Sequence, residues 1–275
     1  MKSGTSMKIK SFRIAPDQAV DLAAWSPRST EGFAGDKAAA AAETQRLVTH
    51  LAQLQDVLFA QAEHRLLVVL QAPDAGGKDG TIRAILTGVN PQGTDVVNFK
   101  QPTDAELAHD YLWRVHAHTP AKGEIVVFNR SHYEDVLVVK VHQLVPDKQL
   151  ERRYDHINAF EQMLVDEGTT IIKLFLHISP EEQAARLQER LDDPSKRWKF
   201  RKGDLDERAR WEDYRQAYQT MLQRTSTPAA PWYVVPADRN WFRNLVVAEI
   251  LVQTLEGFDM TYPEPDKDLD GLKVT

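Results

Sequence analysis

The residues with the clearest chemistry lie in the stretch Gln71-Ala-Pro-Asp74-Ala75-Gly76-Gly77-Lys78-Asp79-Gly80-Thr81. Glycines ahead of a lysine let a chain curl until successive backbone N–H groups converge on an anion, and the lysine ammonium then neutralises a phosphate. The usual pattern for such a loop is G-x-x-x-x-G-K-[ST]. Ala72 stands here at the first glycine position, and Asp79 stands where a hydroxyl would hold Mg²⁺. Asp74, inside the loop, is the informative departure. A carboxylate beside phosphates is repelled unless a cation lies between them, so Asp74 reads as a ligand for Mg²⁺ that replaces the missing hydroxyl. Phosphate contacts are expected from Ala75, Gly76, Gly77, Asp79 and Gly80 around Lys78. The plainer alternative is a turn whose glycines serve only backbone geometry.

A second concentration is Phe128-Asn129-Arg130-Ser-His-Tyr-Glu134-Asp135, directly after an apolar run. Ligands of open α/β sheets sit beyond the carboxyl ends of the strands, which places Asn129, Arg130 and Glu134 near whatever the loop holds. Asn129 occupies a position where a metal-organising carboxylate is common, and it can offer only a neutral carbonyl oxygen. Arg130 suits equatorial phosphate oxygens, since a guanidinium binds them bidentately; its alternative is a pair with Glu134 across the first helical turn. Farther on, seven basic residues lie between Arg186 and Lys202, interrupted by Pro194 and closed by Gly203. That stretch reads as a mobile lid that closes over something anionic and keeps water from an activated phosphoryl group. The histidines show no metal-ligand spacing, so His116 and His118 are expected to be structural. Trp113, Trp211 and Trp241 are assigned to helices and to the core.

The elements that must position these residues alternate. Strands are expected at 66–70, 94–99, 124–129, 169–177 and 231–235. Helices are expected at about 36–62, after Lys78 as far as Gly88, from Thr103 to before Pro120, and at 133–142 and 147–167. Two more begin at Ser179 and at Trp241. Alternation of this kind implies an α/β fold of three layers, a five-stranded parallel sheet with helices on both faces. The expected organisation is an irregular N-terminal arm over residues 1–35, one catalytic domain over 36–258 with its lid at about 190–210, and a polar tail over 259–275.

Composition narrows the function. The chain has 275 residues, a net charge of −6 and no cysteine, so thiolate chemistry and cysteine-zinc sites are excluded. No apolar run approaches the ~20 residues that span a bilayer, and the N-terminus lacks a secretory core. The expectation is a soluble, cytoplasmic protein with no membrane partner. The acidic balance argues against nucleic acid as a partner but not against an anionic substrate, for which a local basic cluster is enough.

Taken together, these motifs resemble polyphosphate kinase family 2 over residues 36 to 258. The likeness rests on Leu70-Gln-Ala-Pro-Asp74-Ala-Gly-Gly-Lys78-Asp-Gly-Thr-Ile82, Gly88-Val-Asn-Pro-Gln-Gly93, Phe128-Asn-Arg130-Ser-His-Tyr-Glu134-Asp135 and Arg190-Leu-Asp-Asp-Pro-Ser-Lys196-Arg-Trp-Lys199. The resemblance implies a P-loop kinase fold with a helical lid. It also implies reversible phosphoryl transfer between inorganic polyphosphate and AMP, ADP or ATP with Mg²⁺, by a homo-oligomer. By the same resemblance, Asp74 would hold Mg²⁺ or orient the attacking phosphate, and Lys78 would grip the transferring phosphates. Arg130 and Arg190 would stabilise the charge developing on the phosphoryl group, while Lys196 and Lys199 would line the polyphosphate path. Glu134 would mark the branch that accepts monophosphates as well as diphosphates. Many members carry Asp where this chain has Asn129, and Gly where it has Ala72. Two other readings stand beside this one: an ATP-dependent nucleoside or nucleotide kinase of the same fold, and a non-catalytic phosphate-binding protein.

Overall fold

The computed structural model describes residues 7–265, so the first six residues of the expected arm and residues 266–275 of the expected tail lie outside it. Its centre is a sheet of β1 (Arg65–Gln71), β2 (Thr94–Asn98), β3 (Ile125–Asn129), β4 (Thr169–His177) and β5 (Trp232–Pro236). The strand order is β2-β3-β1-β4-β5, and every neighbouring pair is parallel. Parallel strands need crossovers, so both faces are covered by helices and the strands read as continuous apolar runs rather than alternating ones. Leu66 through Val69 are fully buried accordingly.

Strand periodicity sorts these side chains between two cores. Leu66, Val68 and Leu70 face α1 (Lys37–Gln61), α2 (Lys78–Ile85) and α10 (Asn240–Glu256). Leu67 and Val69 face α5 (Glu134–Val141), α6 (Asp147–Asp166) and α9 (Trp211–Thr225). The stripe Leu47, Leu51, Leu58 of α1 is buried at 0–1 % exposure. Asp36 caps that helix by accepting the N–H of Ala39 at 2.8 Å, and Gly168 ends α6 in the left-handed conformation. Two short helices, α3 (Asp104–Leu107) and α4 (Trp113–His116), follow β2; α7 (Pro180–Asp192) and α8 (Gly203–Ala209) precede α9.

Two local expectations are corrected. The helix from Thr103 has its capping box but does not run on to Pro120. Asp110 accepts the N–H groups of Leu112 and Trp113 at 3.0 and 3.1 Å, which restarts the chain as a separate turn. Trp113 consequently sits on the rim, half-exposed and stacked on His109, rather than in the core. Residues before α1 are irregular yet packed: Ile14 is fully buried and its N–H donates to the Trp232 carbonyl at 2.9 Å, covering the edge of β5.

A buried ionic cluster ties β4, α6, α9 and the turn into α5 together. Lys173 is fully buried, and its ammonium donates to Glu161 Oε2 at 2.6 Å, to the Tyr133 hydroxyl at 2.9 Å and to the Thr225 carbonyl at 2.5 Å. Tyr133 in turn donates to Glu161 Oε1 at 2.7 Å, and His132 lies 3.2 Å from the same oxygen. Burial works against the charge of Glu161, but Lys173 and His132 outweigh it and hold the carboxyl below its usual range. Burial also pulls the Lys173 ammonium down. Removing one partner strands the other charge in the interior. Lys173→Met should therefore cost about 3–5 kcal/mol in urea unfolding, and Lys173→Met with Glu161→Gln should recover much of it. A single variant as stable as the double one would show that the pair carries no such charge.

Candidate active site

The loop between β1 and α2 is shaped by close contacts. A Cβ on Gly76 would come within 2.5 Å of the Ala72 methyl and 2.8 Å of the Pro73 carbonyl. The methyl at Ala72 is therefore accommodated by the bare backbone of Gly76. Gly77 begins α2 with φ +97°, a left-handed conformation that favours glycine. Lys78 folds back across the loop and donates to the Ala72 carbonyl at 3.0 Å. Its ammonium is pushed down to about 8, first by burial and then by Arg130, against the opposing pull of Asp74, Glu134 and Asp79.

Strand register delivers the second group. Leu70 of β1 lies beside Asn129 of β3, so Arg130 leaves β3 level with the loop, its N–H donating to the Leu70 carbonyl at 3.2 Å. Arg130 has φ +61°, a conformation strained for a bulky side chain and characteristic of sites where placement matters. Its Nη2 donates to Asp74 Oδ1 at 2.8 Å, so the ion pair here runs to the phosphate loop rather than to Glu134. Burial opposes the charge of Arg130, but Glu134 and Asp74 outweigh it. Glu134, half-buried in the first turn of α5, is pushed up by burial and eased back by Arg130 and Lys78. With the Gln71 amide in the orientation its neighbours demand, its nitrogen donates to Glu134 Oε1 at 3.0 Å. Asn129 turns its amide nitrogen to Asp79 Oδ1 at 2.9 Å, joining the end of β3 to the start of α2.

The donor set suits a magnesium ion that completes its shell on substrate. Mg²⁺ typically takes one or two carboxylates and phosphate or water oxygens. Asp74 is partly exposed, and Arg130 engages one of its carboxylate oxygens. Among the described residues no cluster of three His, Cys, Asp or Glu side chains forms an all-protein metal cage.

The basic stretch is only partly gathered at the loop. Lys199 lies 4.0 Å from Asp79 Oδ2. Arg190, near the end of α7, is 3.8 Å from Asp204 of α8. Lys196 is bound to Glu189 at 2.5 Å and Asp193 at 3.1 Å on the surface.

Two arginines at the loop were not anticipated as site residues. Arg186 donates to the Ala75 carbonyl at 3.1 Å and to the Ala237 carbonyl at 2.6 Å, tying α7 and the end of β5 to the loop. Arg243 of α10 is 97 % buried (3 % exposed), and a Cβ on Gly77 would come within 2.0 Å of its Nη1. Arg243 bonds only to the amides of Asn240 and Asn244, with no carboxylate partner among the described residues. Its guanidinium is pushed down to about 10 by burial and by Arg186. The signal in the sequence is slight: one arginine near the start of an otherwise apolar helix.

Known proteins resemble this chain in sequence and fold. A family model described as polyphosphate kinase 2 matches residues 34–263. An AMP/ADP-polyphosphate phosphotransferase of Meiothermus ruber is 56% identical over 258 residues, covering 94% of this chain and 97% of that one. An ADP-polyphosphate phosphotransferase of Rhodopseudomonas palustris is 42% identical over 270 residues, covering 94% and 93%. The crystal structure of polyphosphate kinase 2 from Arthrobacter aurescens superposes with a TM-score of 0.91 at 44% identity, covering 94% of this chain and 93% of that one. A parallel five-stranded sheet with a lysine-bearing phosphate loop at β1, matched along nearly its whole length by such relatives, places this chain in the polyphosphate kinase 2 family.

Proposed function

We propose that this chain moves a phosphoryl group between inorganic polyphosphate and AMP or ADP with Mg²⁺, at a centre formed by Asp74, Lys78 and Arg130. The observation that carries the reading is the Arg130–Asp74 pair, 2.8 Å long, at a loop whose lysine ammonium folds back onto the Ala72 carbonyl and is pushed down by burial. Arg130, Arg186 and Arg243 gather with that lysine around the loop, and such a set of cations suits a polyanion such as polyphosphate. The Meiothermus ruber relative, named for both AMP and ADP, supports extending the acceptor range to monophosphates, and Glu134 is consistent with it.

Donor and acceptor are both polyanions, so the barrier is dominated by repulsion and positioning. An oxygen of the acceptor's terminal phosphate attacks the terminal phosphorus of polyphosphate. The bond to the bridging oxygen breaks, and the chain leaves one phosphate shorter. Lys78 and the N–H groups from Ala75 to Gly80 grip the transferring group, and the fork of Arg130 spreads over its equatorial oxygens. Asp74 holds Arg130 in place, and Asn129 and Asp79 fix the start of α2. Glu134 adds negative charge that favours the charged form of Arg130. Arg190 reaches the phosphoryl group when the lid over 190–210 swings across, with Lys196 and Lys199 guiding the polyphosphate. When bound, Mg²⁺ at Asp74 supplies the positive charge that lets a carboxylate share this space with phosphates. The proposal also carries a cytoplasmic location and a homo-oligomeric state.

Polyphosphate with AMP and Mg²⁺ should yield ADP and then ATP, separated by ion-exchange chromatography, and excess EDTA should abolish the products. Turnover with ATP but not polyphosphate as donor to a nucleoside would favour the ATP-dependent kinase reading instead. Lys78→Ala should lower saturated turnover by roughly a hundredfold or more, as loss of one oriented charge stabiliser does. Lys196→Ala, whose ammonium is held by Glu189 and Asp193, should instead raise the KM for polyphosphate with little change in kcat. Equal kcat losses in the two variants would contradict these separate roles.

A further inference from the structure

A groove of about 690 Å³ lies between α6 and the segment that carries α3 and α4, and the chemistry above leaves it unused. Lys148, Arg152 and His156 of α6 run along one wall. Their spacing, i, i+4 and i+8, puts them in one row on the helix, about 12 Å long at 1.5 Å per residue. All three are exposed. Like charges four residues apart weaken a helix, so Lys148 and Arg152 cost α6 stability unless an anion lies against them.

The helix does not neutralise this row itself. Its acidic residues Glu151 and Asp155 form the neighbouring row and are taken by Arg224 of α9, at 2.6 and 3.5 Å. Asp147 stands in the first turn, where a carboxylate favours the helix terminus. Lys148 and Arg152 have no ion-pair or hydrogen-bond partner among the described residues. Carboxylates elsewhere in the lining are engaged too. Glu106 accepts the Thr103 N–H at 2.7 Å, and Asp110 accepts those of Leu112 and Trp113. Asp135 lies between two largely buried arginines, 3.3 Å from Arg153 Nη1 and 3.9 Å from Arg114 Nη2. Arg114 and Arg153 balance Glu106 and Asp135, whereas Lys148 and Arg152 outnumber Asp110. The groove therefore keeps an excess of positive charge on a protein whose net charge is −6.

Cations in a line suit a linear polyanion. Single-stranded nucleic acid also needs open aromatic faces on which its bases stack, and the rings here already have partners. Tyr111 carries the Arg153 guanidinium over its ring at 4.6 Å, and His109 is stacked on Trp113 at 4.1 Å. A polyphosphate carries charge without bases. The groove also adjoins the reacting centre, since Asp135 follows Glu134 in the first turn of α5.

We propose that this groove is a second binding site for polyphosphate, which holds a stretch of the chain remote from the phosphate that reacts. The inference rests on the phosphotransferase reading and adds a tether to it. A chain held at the groove re-engages the loop as an intramolecular event, so long chains gain an affinity that short ones cannot. Each transfer leaves the chain one phosphate shorter. The groove keeps that chain on the enzyme while its new end moves up to Lys78 and Arg130.

The test measures by calorimetry how tightly the wild type and a Lys148→Ala/Arg152→Ala variant bind two probes. One is long-chain polyphosphate; the other is tripolyphosphate, too short to occupy loop and groove together. The double variant should bind the long chain about tenfold or more weakly, since a second linked contact adds at least that factor. Its plot of log Kd against log salt should flatten by about 1 to 1.5, as losing two charge contacts to a single-stranded polyanion does. Its affinity for tripolyphosphate should match that of the wild type. Lys37→Ala/Lys122→Ala removes the same charge from two other exposed sites and should keep full affinity for the long chain. Thermal melting checks that each variant is folded; should the first pair melt early, Lys148→Gln/Arg152→Gln carries the same comparison. Unchanged affinity for the long chain in a folded groove variant overturns the second site. Equal losses in the two double variants overturn it too, because they mark general charge attraction, as do equal losses for both probes. A change of oligomeric state in light scattering would instead assign the groove to a contact between copies. Single-stranded RNA that competes with the long chain in the wild type but not in the groove variant would assign it to nucleic acid. A wild type that binds the long chain through the groove yet fails to phosphorylate AMP defeats only the phosphotransferase reading, which is a different result.

Discussion

Two polyanions must be brought within bonding distance on a protein that is itself acidic, and this constraint governs how its charges are placed. Net charge is −6, yet the loop after β1 is surrounded by Lys78, Arg130, Arg186 and Arg243. Arg243 is the decisive member because it lies buried against Gly77 without a carboxylate. A buried cation that lacks a counter-ion is costly unless a ligand supplies the opposite charge. Such a cost is tolerable where an anion is bound, and it raises the affinity of the loop for that anion. Asp74 and Glu134 are held close enough to organise these cations without cancelling them.

Rigid support makes that arrangement possible. Arg130 occupies a strained backbone conformation, and such strain persists only where its surroundings over-determine it. Next along the chain, Ser131, His132 and Tyr133 are fully buried. Two of them are locked to Glu161, which Lys173 reaches from β4. The ionic cluster under the sheet therefore fixes the turn that presents Arg130 and Glu134 above it. Gly76 and Gly77 do the corresponding work at the loop, one by admitting Ala72 and the other by admitting Arg243.

Much of this was legible from sequence, for definite reasons. The five strands are short apolar runs bounded by glycine, proline and polar residues, and periodicity distinguishes them from the long striped helix α1. The loop and the strand ending at Asn129 were readable because phosphate chemistry restricts residue types at fixed spacing. Arg186 and Arg243 were not readable as site residues. Each reaches the loop across a fold that brings α7 and α10 to it, and no local spacing encodes that convergence. Trp113 was misplaced because aromatic character predicts burial only on average, and here Asp110 broke the helix that would have carried it inward. The basic groove was equally hidden, since its walls come from the α3–α4 segment and from α6, apart in sequence and joined only by the fold.

The central claim is that positive charge at the phosphate loop stays incompletely compensated until a polyphosphate binds. The most direct measurement is the titration of the Lys78 ammonium by NMR in protein carrying ¹³C-labelled lysine, with Lys78→Arg to assign its signal. In the free protein its midpoint should lie near 8, and it should move upward when polyphosphate is added, because an adjacent anion favours the charged form. A midpoint close to the ordinary lysine value of about 10.4, unmoved by polyphosphate, would contradict the account.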